Sequence, residues 1–244
     1  MEKHLYAEMS SLEEAHWWFR GRRAVLFDLL SRFKPMGKRL LDVGVGTGIN
    51  AQQFSQHGFL VDAIEPSQEA IRFAKEKAPS ANLIEASFPS PLVKDNEYHI
   101  VTLLDVLEHF DDDHSALRAV TKALAPGGIV LITVPAFRFL WSGHDELAHH
   151  RRRYRKAELV ERLKGAGLTP AFVSYYNFFL FPAIALVRLA SNALNVRKKE
   201  SDFSSTPGFL NAPLALLFGF ERFLLRVGPL PWGVSLIAVA RKVQ

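Results

Sequence analysis

Apolar residues recur along this chain in two rhythms. Between 38 and 134, short runs of Leu, Val and Ile alternate with stretches whose apolar positions repeat at helical spacing. Leu40–Val43, Val61–Glu65, a third run ending before Ala86, Ile100–Leu104 and the run after Pro126-Gly127-Gly128 predict buried strands. Helices are predicted between them at Ile49–His57, Gln68–Ala78 and His114–Leu124, the last entered through Asp111-Asp112-Asp113 as N-cap. The alternation continues with a helix over Ala157–Ala166, closed by Gly167, and a sixth strand over Thr169–Tyr175. Strand and helix in strict alternation predict an α/β fold, a doubly wound parallel sheet.

The flanks read differently. Leu12–Phe33 predicts one helix with Ser10 and Ser11 as caps. It carries Trp17-Trp18, which cannot share one core stripe, so one of them is expected against a neighbouring element or the ligand mouth. Residues 178–230 hold two apolar helical patterns, Phe178–Ala193 and Pro213–Val227, joined by a Ser- and Asp-containing linker over 199–208 that is expected to be mobile. Neither pattern offers the roughly 20 uninterrupted apolar residues of a membrane span. On a helical wheel Asn211, Ala215, Arg222 and Arg226 make a narrow polar stripe. Three placements stay open: a membrane interface with arginines at the headgroups, a hydrophobic lid, or a pair buried against the sheet. Val234–Arg241 predicts a last strand.

The first strand runs into Asp42-Val43-Gly44-Val45-Gly46-Thr47-Gly48. Glycines at alternate positions let the backbone bend sharply and let a ligand lie against bare main chain, with a helix start favouring its polar or negative end. A dinucleotide fingerprint needs a third glycine at 49, where Ile49 stands, so a ligand without a pyrophosphate is favoured. Glu65 follows Gly46 by 19 residues at the tip of the second strand, placed to accept from ribose hydroxyls, or to act as an acid at a helix start beside Ser67.

This run resembles motif I of the class I S-adenosylmethionine-dependent methyltransferases. Asp105-Val106-Leu107-Glu108-His109 resembles their fourth motif, and Pro126-Gly127-Gly128 before a strand is typical of them. Glu13-x-x-His16-Trp17-Trp18-Phe19-Arg20, Trp141-Ser142-x-His144-Asp145-Glu146 and Pro231-Trp232-Gly233-Val234 resemble a bacterial subgroup of the type 11/12 methyltransferases, whose acceptors are largely unassigned. The likeness implies a Rossmann-like, seven-stranded, mostly parallel sheet with an antiparallel seventh strand and a helical insertion between strands six and seven. It implies one domain: an N-terminal helical cap (1–36), a cofactor-binding core (37–177), the apolar insertion (178–230) and the final strand (231–244). S-adenosylmethionine is the implied cofactor. Gly44, Gly46, Gly48, Glu65 and Asp105 would contact it, Asp42 would face its ammonium, and Ser87 would replace the aspartate that many relatives place near the adenine. His109, and the pair His144 and Asp145, are the candidate acid–base groups for the acceptor; no metal is expected.

Composition narrows the partners. The chain has 244 residues, 48% hydrophobic and 23% charged, enough for a full core. It has no cysteine, which excludes disulfides and thiolate metal sites. No apolar signal core follows Met1, so a cytoplasmic location is expected, at the inner face of the membrane if the insertion binds lipid. A formal charge of +5 and a pI near 9.5 point to an anionic surface or partner. The excess sits in His149–Lys156 and Arg197–Lys199. The expected acceptor is a small, apolar or lipid-linked molecule, with O- or C-methylation undetermined. An RNA methyltransferase, and a cofactor-binding regulatory protein without transfer activity, are the rivals; nucleic acid is disfavoured because no RNA-binding module accompanies the basic run.

Overall fold

A computed structural model describes residues 3–194 and 206–243. The Arg197–Lys199 block and most of the 199–208 linker lie outside the described residues. In chain order the elements are α1 (Lys3–Leu12), α2 (Trp17–Phe33), β1 (Arg39–Val43), α3 (Ile49–Gln56), β2 (Leu60–Glu65), α4 (Gln68–Lys77), β3 (Asn82–Glu85) and β4 (Tyr98–Leu104). There follow α5 (Asp113–Ala123), β5 (Leu124–Pro135), α6 (Gly143–Leu147), α7 (Lys156–Gly165), β6 (Leu168–Tyr176), α8 (Phe181–Ala193), α9 (Asn211–Val227) and β7 (Ser235–Lys242). The seven strands form one mixed sheet in the order β3-β2-β1-β4-β5-β7-β6, with β7 antiparallel, as the sequence predicts. Tertiary contacts divide the chain into two compact units.

One unit comprises 34–133, 157–173 and 238–244. β1 pairs in parallel with β2 and β4, β2 with β3, and β4 with β5. Leu40, Leu41, Ile64, Ile100, Leu103 and Ile132 are fully buried there; each such side chain contributes about 1.5–3 kcal/mol. Ser67 caps α4 by accepting from the Ala70 amide, and Asp112 caps α5 by accepting from Ser115. Pro126-Gly127-Gly128 does not precede β5 but bulges within it. Leu124 already faces Tyr98, and Gly127 takes φ +72° to absorb the extra residues.

The other unit comprises 1–33, 134–156 and 174–237. The single N-terminal helix expected from the sequence is two helices, broken over 13–16. Ser11 caps nothing: its hydroxyl donates to the Glu8 carbonyl. The start of α2 is capped from elsewhere, by Asn211 Oδ1 on the Trp17 amide (3.0 Å) and by His16 Nδ1 on the Trp18 amide (3.3 Å). Burial lowers the His16 pKa and keeps this ring an acceptor. Trp17 lies edge-on to Phe218 of α9, so one tryptophan does cover a neighbouring element. α2 and α9 pack closely because Gly21 leaves room for the Phe218 ring; a methyl there would overlap it.

The insertion narrows the three open placements. α8 is not buried against the sheet, since among its residues only Ala185 is buried. The polar stripe of α9 reaches α2: Asn211 caps it, and Arg226 Nε donates to Asp28 at 2.9 Å while half the arginine side chain stays in solvent. The run Gly208–Val227 is 20 residues long and apolar enough on average to cross a bilayer by length and composition, with Glu221, Arg222 and Arg226 interrupting it.

Candidate active site

β1 ends at Val43 and the chain turns through Gly44, Gly46 and Gly48 with φ of +73°, +55° and +96°. Such left-handed values favour glycine. Space excludes side chains as well. A methyl on Gly44 would lie 2.6 Å from Val106 Cγ2, and one on Gly48 2.7 Å from Ala74 Cα. Gly48 stands before α3 and brings no capping side chain, so the turn presents main chain alone at a helix start.

Glu65 closes β2 and grips this turn. Its Oε2 accepts from the Gly46 amide at 3.2 Å, and its Oε1 from the Ser67 amide at 3.1 Å. Both oxygens keep capacity for further bonds. Burial pushes the Glu65 carboxyl up, and the Ser67 and Gly46 amides offset only part of that. Asp42 is buried, and its Oδ1 accepts from the Thr102 hydroxyl at 2.6 Å, tying β1 to β4. Asp105 follows β4 in a left-handed conformation, φ +59°, with its amide donating to Thr133 at 3.0 Å. Ser87 is exposed just past β3. Glu108 is buried and His109 half-buried in the 3-10 turn Leu107–His109. The parallel register brings the glycine turn, Glu65, Asp105 and Ser87 to the carboxyl ends of β1, β2, β4 and β3, where ligands sit in such sheets.

The second group of candidates lies in the other unit, between β5 and α7. Asp145 is completely buried. Its carboxylate accepts from Arg153 Nε at 2.8 Å and Nη2 at 2.9 Å, from His150 Nδ1 at 2.8 Å and from the Ser142 amide at 2.8 Å. Burial opposes its ionisation, but the His150 hydrogen bond and the Arg153 charge outweigh it and hold the carboxyl well below the usual range. The carboxylate of the expected His144–Asp145 pair is thus engaged by Arg153, His150 and Ser142. Asp145 is a strut, and His144 stands beside it half-buried, its ring 6.1 Å from that of His150. The basic run is not one face either. Arg153 and Tyr154 turn inward, while Arg151 and Arg155 are exposed.

Sequence reading missed Phe137. It follows β5 with φ +53°, an outlier for a bulky residue. Its amide donates to the Tyr154 carbonyl at 3.0 Å, and Arg153 Nη1 donates to the preceding Ala136 carbonyl at 3.0 Å, so the Asp145 strut also fixes this bend. The Phe137 ring stacks on Tyr175 at 4.8 Å and lies 5.3 Å from Phe139 and 5.8 Å from Phe181. Only its place after a strand-ending proline could have drawn notice.

A family model described as a methyltransferase domain matches residues 18–171, and so spans the glycine turn, Glu65, Asp105 and Asp145. The chain belongs to the class I S-adenosylmethionine-dependent methyltransferases. Among curated relatives of this methyltransferase is a ubiquinone biosynthesis O-methyltransferase of Xanthomonas axonopodis pv. citri, 29% identical, covering 57% of this chain and 65% of the relative. One of Escherichia fergusonii is 33% identical, covering 49% and 56%. One of Vibrio atlanticus is 24% identical, covering 76% and 90%. The methyltransferase thus spans between half and two thirds of the first two relatives.

Solved structures share its fold. Phosphoethanolamine N-methyltransferase 2 of Haemonchus contortus, in complex with S-adenosyl-L-methionine, matches with TM-score 0.56 and 22% identity over 90% of this chain and 52% of that one. The (4+2) cyclase SpnF matches with TM-score 0.59 and 21% identity over 90% and 81%. The fold therefore hosts other chemistry, and function rests on the site.

Proposed function

We propose that this chain transfers a methyl group from S-adenosylmethionine to a small acceptor with a large apolar portion. The observation that carries the cofactor half is the left-handed glycine turn after β1, whose central amide Glu65 holds at 3.2 Å and which presents main chain alone at the start of α3. Gly44, Gly46 and Gly48 offer main chain for the cofactor to lie against. Glu65 accepts from the ribose hydroxyls with its remaining lone pairs, and Asp42 balances the ammonium. Asp105 borders the methionine end, and Ser87 accepts from the adenine. When bound, the cofactor supplies an electrophilic methyl group on a sulfonium.

The chain's own part is to orient the acceptor, exclude water and take up the acceptor's proton. His109 and His144 are assigned to take that proton, and Asp145 holds the segment that carries His144 through the Ser142 amide and Arg153. The stacked Phe137, Tyr175, Phe139 and Phe181 support an apolar acceptor. The relatives' names support an oxygen as the methylated atom. The burial of Arg153 removes the centre of the basic run and counts against an RNA substrate.

The test is incubation of the protein with methyl-labelled cofactor and a bacterial lipid extract, beside total RNA. Label in organic-soluble product is expected, with His144→Ala lowering turnover more than cofactor affinity. Label in RNA alone would contradict the reading.

A further inference from the structure

Helices α8 and α9 are built inside out. Their polar side chains reach protein groups. On α8, Arg188 Nη1 donates to the Leu140 carbonyl at 2.7 Å and Asn192 Nδ2 to the Trp141 carbonyl at 3.1 Å. On α9, Asn211 and Arg226 bond to α2 as described, and the buried Glu221 Oε1 accepts from the Phe178 and Phe179 amides at 2.7 and 3.1 Å. The outward positions are apolar. Leu186, Val187 and Leu189 are exposed on α8. Leu216, Leu217, Phe220 and Phe223 follow one another along the outer face of α9. Leu186 is 70% exposed and Leu216 75%. Scattered exposed leucines are ordinary, but two successive helices with apolar outer faces mark an interaction surface.

We propose that the outer faces of α8 and α9 dock in the plane of an anionic lipid bilayer. Two observations choose this occupant. Among the described residues, neither helix exposes an acid, because Glu221 is the only one and it is buried. The charges they do carry outside are cationic: Arg226 keeps half its side chain in solvent while paired to Asp28, and Arg222 is half-buried over the Phe223 ring. This matches an anionic headgroup layer and repels a second copy of the same face. Apart from Arg226, the exposed positions of the two helices carry, among the described residues, no hydrogen-bonding side chain, whereas a protein partner would use about one hydrogen bond per 100–200 Å² and a bilayer interior needs none. Apolar helices of this kind sink ~5–10 Å into the headgroup boundary, with the protein body here taking the side that water usually takes. α9 lies flat rather than spanning, because its other face, Ala215, Phe218, Glu221 and Leu225, is buried. The proposal goes beyond methyl transfer and does not require it.

The test is flotation of the full chain with vesicles of phosphatidylcholine alone and of equal parts phosphatidylcholine and phosphatidylglycerol. The wild type is expected to float with the mixed vesicles and much less with phosphatidylcholine alone. The double variant Leu186→Asp and Leu216→Asp should lose about tenfold or more in partition, since it removes two apolar side chains and adds two charges. Its unfolding temperature and its binding of S-adenosylhomocysteine should be unchanged, so loss of the lipid surface and loss of the cofactor reading are separable. The chain has no native cysteine, so Leu186→Cys carrying an environment-sensitive dye gives a second readout, a blue shift on adding mixed vesicles. The proposal is overturned if the wild type stays at the bottom, if the Asp variant floats equally, or if the dye does not respond. Equal partition onto phosphatidylcholine overturns the anionic surface. A dimer abolished by the Asp variant, with no flotation, would give the face to a second copy.

Discussion

At Gly44 a single methyl group has nowhere to go. The φ of +73° disfavours any other residue, and Val106 stands 2.6 Å from where the carbon would sit. Gly44→Ala is expected to cost about 1–3 kcal/mol of stability and to weaken S-adenosylhomocysteine binding markedly, read by thermal unfolding and calorimetry. Wild-type affinity in a folded variant would show that the ligand does not touch this turn. Asp145 makes the opposite kind of claim. Asp145→Asn should cost about 3–5 kcal/mol, because it leaves Arg153 buried with a neutral partner; a denaturant midpoint measures it. A variant that kept its stability and lost only turnover would restore an acid–base role. Asp42, Glu65 and the glycines were legible because their spacing along the chain is itself the signal. Thr102 and Arg153 were not, because their meaning depends on the partners Asp42 and Asp145, which only the folded chain brings to them.

Among the elements, α9 carries a titration. Burial pushes the Glu221 carboxyl up from 4.5 to about 7, against the pull of the Phe179, Phe178 and Asn177 amides. The folded state therefore holds a proton that the unfolded state has released between these values. Stability falls as pH rises through that window, by about 3 kcal/mol in all, and levels off above it. Glu221→Gln keeps an acceptor for the amides and should flatten the loss, which unfolding temperatures at pH 5 and pH 8 would show. Parallel curves for the two proteins would mean that another group is responsible. Periodicity located α3, α4, α5 and α7 to within a residue or two, because each packs on the sheet with its apolar side, but it started β5 about five residues late, past the bulge at Pro126-Gly127-Gly128. It misjudged the N-terminal break, since the caps of α2 are His16 and a side chain from α9. It also left the polar stripe of α9 without a partner, because Asp28 and the Trp17 amide that it meets lie nearly 200 residues away along the chain. That stripe holds α2, and the apolar side is the one turned out.

For the molecule as a whole, the sheet order and the family follow from motifs arranged along β1 to β5, and the sequence contained them all. The roles proposed for Phe137 and His144 were not legible in this way, because they depend on long-range contacts such as the Tyr175 stack and the Asp145–Arg153 pair. The formal charge of +5 agrees in sign with the anionic surface proposed for α8 and α9. The central claim is that the Gly44–Gly48 turn and Glu65 form an adenosyl site. The most direct measurement is calorimetric titration with S-adenosylmethionine and S-adenosylhomocysteine, with NAD as control, on the wild type and on Glu65→Ala. Micromolar binding of the first two alone is expected, weakened by about 1–3 kcal/mol in the variant through lost hydroxyl bonds. Equal binding of NAD, or an affinity indifferent to Glu65, would contradict it.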